Sequence, residues 1–188
     1  MKKIFMMAVM AVAALSANAQ QEAGTFSIQP KAGLTVSSLS GDGTKAKAGF
    51  TAGVEGMYQV SEKFGVSAAV MYAMQGAKSK ANSDLKVNYG YINIPILANY
   101  YVVKGLAVKA GIQPGFMVSA KEKYGDTSVN VKDGCKTFDF TIPVGVSYEI
   151  ANVVFDARYN FGLTKTVKNY DKGKNGVFTF TVGYKFGL

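Results

Sequence analysis

Asp139, Asp156 and Arg158 are the residues of this chain whose types come closest to a catalytic set. Two facing carboxylates can share a proton and divide acid and base roles. Arg158 lies two residues from Asp156, on the same face of an extended segment, so a structural salt bridge is the simpler reading. The sequence contains no histidine. That removes Ser-His-Asp catalysis and most zinc sites. Gly41-Asp42-Gly43 and Lys172-Gly173-Lys174-Asn175-Gly176 read as turn chemistry, because neither leads from a strand into a helix as a phosphate-binding loop must. Cys135 is alone, so no intramolecular disulfide is available, and we read it as an incidental loop thiol. The expectation is a protein that is not an enzyme, with no catalytic, cofactor-binding or metal-binding residues and no cofactor.

The elements that would hold these charges repeat with a period of two, eight times over. The expected strands are Thr25 to Val36, Lys47 to Val60, Phe64 to Gln75, Val87 to Tyr101, Leu106 to Ala120, Thr137 to Ile150, Val153 to Leu163, and a last one closing the chain. Val87, Tyr89 and Tyr91 run against the parity of Ile92 to Tyr100, which predicts a bulge near Tyr91. By the same parity Lys31, Glu55, Lys109, Asp139, Asp156, Arg158 and Lys185 point away from the apolar side. In a closed sheet they would form one ion network in the lumen. Buried charges must be paired, and an eight-stranded interior admits little more than side chains. The expectation is a plug, not a solute pore.

Connection lengths alternate. Ser61-Glu62-Lys63, Val102 to Gly105 and Ala151-Asn152 are tight, whereas Ser37 to Ala46, Gly76 to Lys86, Lys121 to Lys136 and Thr164 to Asn175 are long. Outer-membrane barrels have short periplasmic turns and longer outer loops. Tyr58, Phe64, Tyr100, Tyr101, Tyr148 and Phe186 lie near the tight turns. Tyr72, Tyr91, Phe116, Phe138, Phe161 and Phe178 lie toward the long loops. Two aromatic girdles match the two interfaces of a bilayer. Pro30, Pro95, Pro114 and Pro143 fall within the strands, against the usual rule, as one belt of local bulges.

Both ends of the chain agree. Lys2 and Lys3 precede an apolar run from Ile4 to Leu15 and the small-residue site Ala17-Asn18-Ala19. Residues 1–19 therefore read as a cleaved secretory signal peptide and 20–188 as the barrel domain. In the last strand Phe178, Phe180, Val182, Tyr184, Phe186 and Leu188 share one face. The ending with Gly183, Phe186 and Leu188 resembles the signal read by bacterial outer-membrane insertion machinery. Without Lys2 and Lys3, 19 of the 21 basic residues remain against 12 acidic ones, a net charge of +7. Lys165, Lys168, Lys172 and Lys174 crowd the last long loop, and Lys78, Lys80 and Lys86 the second. For an exported chain the fitting counter-charge is anionic lipid or sugar phosphate, not nucleic acid.

Tyr91-Ile92-Asn93-Ile94-Pro95-Ile96-Leu97, Gly111-Ile112-Gln113-Pro114-Gly115-Phe116 and Phe155-Asp156-Ala157-Arg158-Tyr159-Asn160-Phe161-Gly162-Leu163-Thr164 resemble the PorT-type outer-membrane β-barrel family of Bacteroidetes, barrels of the OmpX and OmpA kind. The resemblance covers nearly the whole mature chain. It implies an all-β fold, an eight-stranded antiparallel up-and-down transmembrane β-barrel in the outer membrane of a Gram-negative bacterium. The family's namesake is associated with secretion across that membrane. The expected role is structural or surface interaction, with lipid, lipopolysaccharide and the insertion machinery as partners. Two alternatives stand beside it: an accessory barrel with a secretion-system partner, and a soluble lipocalin-like periplasmic carrier.

Overall fold

The computed structural model describes residues 22–39, 44–79, 85–124, 127–134, 136–165 and 174–188. The expected signal peptide lies outside them, as do Gly41-Asp42-Gly43, Lys80, Asp84, Cys135, Lys168, Asp171 and Lys172. The strands are β1 (Phe26–Leu39), β2 (Thr44–Ser61), β3 (Phe64–Ser79), β4 (Leu85–Asn93), β5 (Ile96–Val103), β6 (Leu106–Tyr124), β7 (Thr127–Asn130), β8 (Phe138–Ile150), β9 (Val153–Lys165), β10 (Lys174–Tyr184) and β11 (Phe186–Gly187), with one 3-10 turn at Lys132–Gly134. Each neighbouring pair is antiparallel, and β1 pairs with both β2 and β10, so the sheet closes on itself.

Eight staves account for the closed sheet. β4 and β5 form one stave that keeps its register across Ile94-Pro95. Met71↔Asn93 and Ala68↔Ile96 align it with β3, and Asn93↔Gly115 and Ile96↔Ile112 align it with β6. β10 and β11 likewise share one register on β1, interrupted at Lys185. β7 is not a stave: it folds back on the outer end of β6, Tyr124 against Thr127. The long connections are thus shorter than the periodicity predicts, because ladders continue where the apolar alternation has stopped.

The alternation sorts side chains by face. Val70 is 59% exposed and its neighbour Met71 3%. Leu34, Val54, Ile112 and Phe180 are exposed on the outside, while Thr35, Glu55, Gln113 and Thr181 beside them are buried. A lipocalin-like carrier would need the apolar face inside, so this arrangement excludes that alternative. The exposed aromatics pack on one another, as in Tyr159–Phe161 at 4.6 Å and Phe116–Phe138 at 5.6 Å between ring centroids.

Three expectations change. The irregularity near Tyr91 is present, but the extra residue is on the partner strand: Gly90↔Ser119 is followed by Tyr91↔Met117, which leaves Val118 out. Tyr91 therefore keeps its inward parity and is fully buried, packed with Tyr89, Met117 and Ala120. Tyr101 is also buried inside, its hydroxyl directed to Met57 Sδ at 3.5 Å, so neither tyrosine belongs to a girdle. The proline belt is a patch of three. Pro95 interrupts its stave, Pro114 pairs with Phe140, and the β6–β8 ladder lapses between Ala110↔Val144 and Gln113↔Thr141, where Pro143 has no N–H to give. Pro30 sits apart on β1, opposite Val54.

If the exposed apolar face meets lipid, Val70→Arg, halfway along β3, costs about 2–4 kcal/mol. Urea unfolding in phospholipid vesicles measures this. Unchanged stability would place Val70 in water.

Candidate functional site

Closure brings five of the seven inward charges together. Lys31 on β1 meets Glu55 on β2, Nζ to Oε2 at 3.0 Å. Lys109 comes from β6, on the far side of the barrel, and crosses the lumen. Its Nζ lies 2.7 Å from Asp156 Oδ2 and 3.4 Å from Glu55 Oε1. Arg158 Nε lies 2.7 Å from Asp156 Oδ1. The order Lys31, Glu55, Lys109, Asp156, Arg158 alternates in sign, and every one of these side chains is at most 3% exposed. In so dry a place each charge needs an opposite neighbour, and alternation along a chain supplies one to every member.

The strands position these groups by simple rules. Asp156 and Arg158 are two residues apart on β9 and share its inner face. Gln29↔Glu55 and Lys31↔Gly53 are consecutive inward pairs, so Lys31 is the diagonal neighbour of Glu55. Space for the long side chains comes from glycine. A Cβ at Gly145 would stand 2.6 Å from Arg158 Cγ, and one at Gly183 would stand 3.0 Å from Lys31 Cβ. Gly183 thus makes room for Lys31, a packing role that its place in the terminal pattern does not reveal. Phe186 and Leu188 from the same pattern are exposed on the outer face, and Leu188 N–H donates to Phe26 O at 2.9 Å.

Asp139 and Lys185 do not join the network. Asp156 pairs with Ser147, eight residues along β8 from Asp139, roughly 26 Å of strand. Asp139 accepts instead from the Thr164 hydroxyl near the outer end. Lys185 sits at the break between β10 and β11, where its N–H donates to Asn152 O of the tight turn. Its Nζ meets both oxygens of Glu149 at 3.1 Å. Glu149 was missed in the sequence, although its inward parity with Ser147 and Gly145 was readable.

Neutral groups fill the rest of the lumen. Toward the tight turns Asn99 Nδ2 donates to Ser67 Oγ at 3.1 Å. Toward the outer loops Asn160 Nδ2 donates to Thr179 Oγ1 at 3.0 Å, and Asn175 reaches across to Gln75. The lumen is not uniformly polar: Met57, Met71, Tyr89, Tyr91 and Met117 are buried in it. Among the described residues no group of three or more His, Cys, Asp or Glu is placed to hold a metal ion.

A family model described as outer membrane protein beta-barrel domain matches residues 18–168. No curated protein matches the chain in sequence. Among solved structures, Neisserial surface protein A (NspA) is similar at 20% identity and a TM-score of 0.58, over 86% of this chain and 97% of that one. Ail of Yersinia pestis, in complex with the heparin analogue sucrose octasulfate, is similar at 18% identity and a TM-score of 0.54, over 87% of this chain and 99% of that one. These likenesses concern the fold.

Asp156→Ala strands Arg158, leaves Lys109 with Glu55 alone, and should cost about 3–5 kcal/mol. Asp139→Ala leaves one hydroxyl to satisfy and should cost about 1–3 kcal/mol. Equilibrium unfolding of the two variants checks the order; equal losses would contradict the separation of Asp139 from the network.

Proposed function

The chain belongs to the outer membrane protein β-barrel domain family and lies in the outer membrane of a Gram-negative bacterium, and from there we propose that it acts as a structural and surface-interaction protein, neither a solute pore nor an enzyme. The observation that carries this reading is the alternating chain Lys31–Glu55–Lys109–Asp156–Arg158, which spans the lumen with every side chain buried. A water-filled path would leave those groups exposed. The interior serves stability, and contact with the surroundings falls to the outer loops.

Lysine dominates two of the long connections and the strand ends that flank them: Lys165, Lys168, Lys172 and Lys174 against Asp171, and Lys78, Lys80 and Lys86 against Asp84. Lysines in this part of the chain suit lipopolysaccharide phosphates and sulfated or phosphorylated surface sugars. Ail, with a barrel of the same kind, takes a sulfated sugar, which makes such a polyanion the natural probe here. Gly183, Phe186 and Leu188 act before this, as the signal for the insertion machinery.

The finer placement, with PorT-type barrels of Bacteroidetes, rests on the Asp156-Ala157-Arg158-Tyr159-Asn160 stretch and the proline segments. The second reading is an accessory barrel bound to a secretion system, which cross-linking in native membranes followed by co-purification would reveal.

In planar bilayers the purified barrel should show no steady single-channel conductance; a stable open channel would contradict the sealed lumen. Barrel-bearing vesicles should bind a sulfated oligosaccharide at low salt and release it at high salt. Replacing Lys165, Lys168, Lys172 and Lys174 with glutamine should remove most of the binding. Binding that survives the replacement would move the contact off this loop.

A further inference from the structure

The lumen network contains three cations, Lys31, Lys109 and Arg158, but only two carboxylates, Glu55 and Asp156. Asp139, the next inward carboxylate on a neighbouring stave, is engaged with Thr164. Both ends of the chain are cations with one carboxylate partner each, Lys31 and Arg158, and of the two it is Arg158 that borders a lumen cavity. Arg158 Nε is ion-paired with Asp156, and neither Nε nor Nη1, both buried, has a hydrogen-bond partner among the described residues.

On the outer-loop side of Arg158 lies a small cavity of about 10 Å³, close to the room that one water needs. Among the described residues its wall is Thr51, Met71, Ala73, Gln75, Asn93, Gln113, Arg158, Asn160 and Thr179, with no carboxylate. The wall is rich in donors. Gln75 Oε1 already accepts from Asn175, which leaves the Gln75 amide N–H groups. Thr179 Oγ1 accepts from Asn160 and keeps its own proton to give. The opposing feature is Asn160 Oδ1, a buried acceptor without a partner among the described residues; a water could donate to it and an anion could not.

We propose that this cavity is a binding site for one small monovalent anion, chloride in the cell envelope, held by Arg158 Nη1 with the Thr179 hydroxyl and the Gln75 amide. The bound anion supplies the third negative charge. The sequence +−+−+ becomes +−+−+−, and the buried array is neutral. The site is a component of barrel stability and does not depend on what the outer loops bind.

The test uses the folded barrel in detergent. Crystals soaked in bromide should give an anomalous peak in the cavity beside Arg158. At constant ionic strength, replacing gluconate with chloride should raise the folded-to-unfolded ratio roughly tenfold when chloride is about ten times its Kd. Thr179→Val removes one donor without touching an ion pair and should weaken that chloride dependence. Arg158→Gln should abolish it; if that variant does not fold, the valine variant and the bromide peak still decide. No bromide in the cavity, with unfolding indifferent to the anion, would mean that the site holds water only and would overturn the proposal.

Discussion

A bilayer offers the backbone no hydrogen-bond partner, so a sheet that crosses it must have no edge. In this chain the constraint is met at one seam. β1 pairs with β10 from Lys31↔Gly183 to Leu39↔Asn175, and with β11 at Ser27↔Gly187 and Ile28↔Phe186. Once the seam is made, the period of two decides everything else. Each outward residue enters lipid and each inward residue enters a lumen only a few side chains across. The C-terminal residues are therefore structural in the plainest sense, because without them the first strand is an open edge.

Closure also turns a charge problem into a solution. Lys109 leaves β6 and finds its partners on β2 and β9, strands that are not its neighbours in the sheet. It acts as a strut between walls that the backbone ladder connects only the long way round. A buried ion pair seldom adds much stability over an apolar filling, but removing one member is costly, and such groups can fix a single arrangement. The strut rewards only the register that brings Glu55 and Asp156 within reach. Shifting β2 by one residue would turn Glu55 toward lipid, and shifting β9 would do the same to Asp156.

Much of this was legible in the sequence because both solvents write in the same two-residue code. The strands, the tight turns and the inward parity of Lys31, Glu55, Lys109, Asp156 and Arg158 follow from alternation alone. Height does not. The tight turn at Ala151-Asn152 does separate Asp139, twelve residues before it, from Asp156, four after it, but the level of Lys109 against Glu55, on staves that are not neighbours, is a property of the closed sheet. Tyr91 was misplaced for a related reason. An aromatic at the right height looks like girdle material, and the bulge that left it inside sits on β6 at Val118, where an outward valine gives no warning. Glu149 shares the inward parity of Ser147, and only the break at Lys185 brings the two charges together.

A closed barrel in the outer membrane is rigid enough to resist mild detergent. The most direct measurement is gel mobility of the native protein, unboiled and boiled, after inner and outer membranes have been separated. A closed barrel gives a faster unboiled band that shifts on boiling and is confined to the outer fraction. A single heat-independent band, or recovery in the soluble periplasm, would contradict it.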